Sequence, residues 1–172
     1  GDSPYQSFSA YAGNPYFIDV DALKEEGLLT KEECVKVDFS EQTDYIDYEK
    51  LYKTRYKLLR KAYARFEQKE EDYLLFIEES KEWLPGYALY MAIKNAHKGA
   101  AWDTWETELR MGEKKSLIAC EEIYKEEILF HKFLQFFFYK HWRLLKNYAN
   151  QKGIQIIGDI PIYVAHDSAD TW

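Results

Sequence analysis

Cysteine is nearly absent. Cys34 and Cys120 are the only two in 172 residues, far apart and in no metal-binding spacing, so a disulfide framework is not indicated and reduced thiols of a cytosolic protein are expected. Long apolar runs are missing too. The most apolar stretch, Ile128 to Tyr139, is broken by His131, Lys132 and Gln135, well short of the roughly 20 apolar residues that a bilayer demands. No membrane partner is expected. Lys and Arg number 23 against 30 Asp and Glu, a net charge of −7, and all 23 fall between Lys24 and Lys152. With no basic run long enough to track a phosphate backbone, nonspecific nucleic-acid binding is argued against. No phosphate-cradling glycine loop, internal repeat or low-complexity segment occurs. Neither a basic region nor an apolar helix follows Gly1, which makes the cytoplasm the expected location. The missing initiator methionine reads as a processed product or a piece of something longer.

What is present supports a packed core: 47% of residues are apolar and 17% aromatic, far above disordered chains. Residues 1–20 mix small polar residues, Gly, Pro and aromatics without helical period and are expected to form a loop over a scaffold. Helical signals then begin. Asp21 is expected to cap a short segment ending at Gly27, and Thr30-Lys31-Glu32-Glu33 has capping-box form. Asp47 is the expected N-cap of a helix through about Gln68. Glu70–Trp83 and Ala88–His97 read as two further helices, separated by Leu84-Pro85-Gly86 and closed by Gly99. Residues 121–152 carry the strongest helix signal, apolar on more than one face, which implies contact on two sides. Gly153 should stop that helix, and residues 154–164, IQIIGDIPIYV, read as a buried parallel strand. Helix followed by buried strand means an α/β class. The expected organisation is an active-site loop (1–20), a mostly helical subdomain (21–120), and a helix, strand and following loop (121–172). One strand is not a sheet, so the chain is expected to be part of a larger α/β enzyme.

Asp159 sits inside that apolar ribbon, where an ionised carboxylate costs several kcal/mol unless paired or hydrogen-bonded. Two readings stand: a site near a strand's C-terminal end, or a carboxylate held purely for packing. Pro161 should make the local pairing irregular. His166, Asp167 and Ser168 are adjacent in sequence and lack the G-x-S-x-G context, so a capped polar turn is read in preference to a nucleophilic triad. Glu121, Glu122, Glu126, Glu127 and His131 read as a solvated acidic face, because Glu127 and His131 are four apart and no second such motif exists. Tyr5, Tyr11, Tyr16, Phe17 and Trp172 offer flat rings suited to sugar faces, or they seal a barrel mouth; composition does not choose.

The stretches GDSPYQSFSAYAGNPYFIDVDAL and GIQIIGDIPIYVAHDSADTW resemble the 4-α-glucanotransferase (amylomaltase, disproportionating enzyme) family, glycoside hydrolase family 77 of the α-amylase clan. IDYEKLYKTRYKLL and EILFHKFLQFFFYKHW are similar to family segments as well. The resemblance implies a (β/α)8 TIM barrel with a large, mostly helical insertion, of which this chain is the first third, from just after the first barrel strand to just after the third. It also implies transfer of α-1,4-glucan segments to the 4-hydroxyl of glucose or maltodextrin, with maltooligosaccharides and α-1,4-glucans as partners and no metal or organic cofactor. Tyr5 matches the tyrosine that stacks on the glucosyl unit at the cleavage point, and Asp159 the aspartate of the first clan-wide motif, an active-site support. The catalytic nucleophile and acid/base match nothing here, so the 172 residues alone are expected to be inactive. Tyr163 and Val164 stand where many clan members carry Asn and His. Tyr48 is either part of a secondary glucan groove or a packed helix aromatic. Self-association is the simplest way to cover open strand edges. The other class of function is a stand-alone helical glucan-binding or scaffolding module without catalysis.

Overall fold

The computed structural model describes residues 5–35, 46–159 and 162–172. Among them every regular element is a helix: α1 Val20–Glu25, α2 Lys31–Val35, α3 Tyr48–Tyr63, α4 Glu71–Glu79, α5 Leu84–Ala96, α6 Thr107–Arg110, α7 Lys114–Ile123 and α8 Lys125–Gln151, with 3-10 turns at Pro15–Phe17 and Trp102–Thr104. Their ends follow local chemistry. The Asp19 carboxylate, rather than that of Asp21, caps α1 by accepting from the Asp21 and Ala22 amides at 2.8 and 3.2 Å. Thr30 and Glu33 close a reciprocal capping box at α2, with bonds of 3.0 and 3.3 Å. Asp47 caps α3 through the Lys50 amide. Leu84, Pro85 and Gly86 do not separate two helices; they are the first turn of α5, where a proline's missing N–H is no loss.

Helix α8 is the axis. Phe130, Phe133, Leu134 and Phe137 are completely buried, and α3, α4, α5, α7 and the Pro15–Phe17 turn all pack on it. The breadth of its apolar surface therefore has the expected cause in its first half. Full burial of each such side chain contributes roughly 1.5–3 kcal/mol. Toward the C-terminal end, Leu144, Leu145 and Tyr148 are exposed. Gly153 ends the helix at φ +76, its position letting the Ile154 amide reach back to the Ala149 carbonyl at 3.0 Å.

The strand over 154–164 is not formed among the described residues, and the α/β and barrel expectation is not realised there. Residues 154–159 are irregular and exposed; Ile157 is 95% and Ile162 89% accessible. The reason is physical: a strand's N–H and C=O groups are satisfied by neighbouring strands, and the described residues contain no other strand to supply them. Asp159 is accordingly exposed rather than buried in a ribbon. Ile160 and Pro161, with the irregularity expected at Pro161, lie outside the described residues.

Candidate functional site

Two irregular stretches carry the candidate site, one before α1 and one after α8, the latter described over 154–159 and 162–172, and the helices hold both. Gln135, buried in α8, grips one backbone position twice: its Oε1 accepts from the Gly13 amide at 2.8 Å and its Nε2 donates to the Gly13 carbonyl at 3.0 Å. The Tyr139 hydroxyl donates to the Tyr11 carbonyl at 2.6 Å, and the Asp19 amide donates to His141 Nδ1 at 3.0 Å. From α3, the Arg55 guanidinium donates to the Tyr16 carbonyl at 2.9 Å and to that of Ile18.

The second segment is tied down at Asp167. Its carboxylate accepts from Lys94 Nζ at 2.6 Å, the Tyr90 hydroxyl at 2.7 Å and the Trp102 amide at 3.3 Å. Burial pushes this carboxyl up, but the ammonium, hydroxyl and amide outweigh it and hold it below the usual range. The two segments then meet directly. The Ala169 amide donates to the Phe8 carbonyl at 2.8 Å, while Asp170 accepts from Ser9 Oγ at 2.8 Å and the Ala10 amide at 2.6 Å.

Beside this seam the Tyr5 hydroxyl donates to Asp159 Oδ2 at 3.1 Å, across 154 positions of sequence. Both side chains are exposed. The structure thus brings together the two residues singled out from the motifs. A ring with an apolar face and a carboxylate at its rim can pack on the C–H face of a sugar and accept from its hydroxyls.

His166, Asp167 and Ser168 diverge. His166 Nε2 lies 3.3 Å from Asp103, Asp167 faces Lys94, and buried Ser168 donates to the Ala165 carbonyl at 2.6 Å. This is the polar turn that adjacency suggested. The acidic face is solvated only in part: Glu121, Glu122 and Glu126 are exposed, whereas Glu127 is half-buried between Arg60 at 2.5 Å and Asn95 at 2.8 Å, with His131 buried beside it. Among the described residues no group of three or more His, Cys, Asp or Glu could hold a metal ion, and no helix is long and apolar enough to cross a membrane.

The loop aromatics also divide. Trp172 packs on Tyr90 and Trp105, and its indole donates to the Leu109 carbonyl at 2.9 Å, so it seals the structure. Tyr16 meets Tyr48 and Tyr56. Tyr11 stacks on Trp83 with ring centres 6.1 Å apart and stays exposed, as does Phe17. Lys94, Gln135, Asp167 and Asp170 are the positioning residues that motif reading missed. A polar group inside an apolar helix run, as in ALYMAIKNA or FLQFFF, was the signal for the first two.

Helices thus grip two loops, with an exposed aromatic–carboxylate pair beside the seam where the loops meet. The family profile described as 4-alpha-glucanotransferase matches residues 1–172, and the chain belongs to that family. The 4-alpha-glucanotransferase of Clostridium butyricum is 44% identical over 173 residues, covering 100% of this chain and 36% of the relative. That of Thermus thermophilus is 43% identical over 177 residues, covering 100% of this chain and 34% of the relative. Among solved structures, an amylomaltase from Streptococcus agalactiae in complex with acarbose superposes with a TM-score of 0.92 at 39% identity, covering 99% of this chain and 35% of that one. The chain therefore spans about a third of the length of the relatives it matches.

Proposed function

We propose that these residues form part of the sugar site of a cytoplasmic 4-α-glucanotransferase of the (β/α)8 barrel type. In this reading Tyr5 stacks on the donor glucosyl unit and Asp159 supports it from the rim. The reaction transfers an α-1,4-glucan segment to the 4-hydroxyl of glucose or a maltodextrin by double displacement. Such chemistry needs a nucleophilic carboxylate and an acid/base carboxyl about 5–5.5 Å apart; we place both in the two thirds of the relatives' length that this chain does not span. Residues 21–120 act as the helical insertion, and the 154–164 ribbon, whose residues 154–159 and 162–164 are exposed, takes its place in the barrel beside strands from that remainder.

The observation that carries the reading is the Tyr5–Asp159 hydrogen bond: two motifs at opposite ends of the chain converge on one exposed aromatic–carboxylate pair. The test has two arms. The isolated 172 residues should show no disproportionation of maltotriose. In the complete enzyme, Tyr5→Ala and Asp159→Ala should each lower turnover by about tenfold or more while the protein stays folded. Parent-like turnover in both variants would remove the assignment, and disproportionation by the isolated chain would remove the division of labour.

A further inference from the structure

We infer that the ion pair between buried Lys94 and half-buried Asp167 is a positioning device that fixes the register in which the two loops meet and thereby sets the Tyr5–Asp159 contact. The inference rests on the sugar-site reading above. Lys94 lies in the last turn of α5 and is almost wholly buried. Its ammonium touches both loops: it donates to Asp167 Oδ2 at 2.6 Å and stands 5.1 Å from the centre of the Phe8 ring. A third bond, to the Ala100 carbonyl at 3.2 Å, holds the head group in place.

The seam runs outward from this point. Phe8 also accepts from Ala169, and Ser9 and Ala10 bind Asp170. Tyr5 is three residues from Phe8, and Asp159 is eight from Asp167. A shift of one residue at the seam would displace Asp170 from both its donors and part Tyr5 from Asp159.

Stability alone does not account for such a pair. Desolvating the Lys94 ammonium offsets much of its attraction to a carboxylate whose side chain stays 35% exposed, and apolar replacements of ion-paired buried groups are often neutral or stabilising. What a short, directional pair adds is a defined geometry: in the observed placement Asp167 accepts from Lys94, Tyr90 and Trp102 at once. Lys94 and Asp167 act through Tyr5 and Asp159 and touch no sugar themselves, so they are positioning residues.

The test uses the complete enzyme, with Lys94→Met, Tyr5→Ala and their combination, assayed well below each variant's melting midpoint. Lys94→Met should lower maltotriose turnover by about tenfold and weaken acarbose binding by a similar factor. If it acts through Tyr5, the combined loss should fall well short of the product of the single losses. Parent-like turnover and acarbose affinity with only a lowered melting midpoint would overturn the inference, as would losses that multiply fully. Should Lys94→Met not fold, Asp167→Asn runs the same cycle, because it removes the charge while keeping an oxygen for Tyr90 and Trp102. If Tyr5→Ala and Asp159→Ala themselves leave turnover unchanged, it is the sugar-site reading that fails, and this inference falls with it.

Discussion

At Gly13 the backbone passes so close to α8 that a Cβ would stand 1.9 Å from Phe138 Cδ1, while both polar groups of that residue are bonded to the Gln135 amide. The contact requires the smallest residue on one side and an uncharged donor–acceptor on the other. Gly13→Ala must push the Phe138 ring or the loop aside, and should cost about 1–3 kcal/mol. Gln135→Leu keeps the volume but strands an amide and a carbonyl, a loss of about 1–3 kcal/mol. Urea denaturation of the two variants reads both values. Because they disrupt one contact, the combined variant should lose less than the sum; strict additivity would mean that the amide and the close approach are independent.

Helix α8 holds two buried histidines, and both are set up to stay neutral. Burial pushes the His131 pKa down against the raising effect of Glu127, with Arg60 also facing it and lowering it. Burial likewise pushes His141 down, against Glu26 and Asp19 and with Lys140. His141 Nδ1 accepts from the Asp19 amide, so a proton there breaks the bond that orients the start of α1. In both cases the folded pKa lies below the ordinary value of 6.5, so the unfolded chain binds more protons beneath that pH. Stability should therefore be full above pH 6.5 and fall as the pH drops toward the folded pKa values, by up to about 1.4 kcal/mol per pH unit for each histidine. Glu127 adds a second stage. Burial pushes its carboxyl up, yet bonds from His131, Arg60 and Asn95 more than offset this and leave it at about 2. Its contribution is present above 4.5 and lost between 4.5 and about 2. Urea midpoints measured from pH 7.5 downward should show the first decline, and His141→Gln should make it shallower. A flat profile to pH 5 would refute the histidine assignment.

At the scale of the whole molecule, large apolar side chains remain exposed near the C-terminal end of the chain sequence. Ile157, Ile162 and Tyr163 in the irregular segment, with Leu144, Leu145 and Tyr148 on α8, are all exposed. Runs of exposed apolar residues such as Ile154, Ile156 and Ile157 mark surfaces that other protein covers. The isolated chain should therefore self-associate in a concentration-dependent way in sedimentation velocity, and Ile157→Lys with Ile162→Lys should shift it toward monomer. In the complete enzyme the same pair should instead lower the melting midpoint, because the proposed barrel reading buries those positions and leaves the charges unpaired. A monomeric parent chain at every concentration would count against an unpartnered face.

Sequence alone determined the main helices and several of their ends, though not the break at Tyr124, where the expected 121–152 helix divides between α7 and α8. The capping box at Thr30 and Glu33, the Asp47 cap and the stop at Gly153 depend on groups within a few residues of one another, so local pattern sufficed to read them. It also singled out Tyr5 and Asp159, by motif resemblance rather than by periodicity. The 154–164 run had strand composition and forms no strand among the described residues, because a helix satisfies its own backbone whereas a strand depends on neighbours. The anchors went unread for a similar reason. Lys94, Gln135 and His141 are ordinary helix residues until packing sets a loop against them. Only the tertiary structure could place Tyr5 on Asp159 across 154 positions, since that meeting is decided by how two loops dock on a shared helical frame.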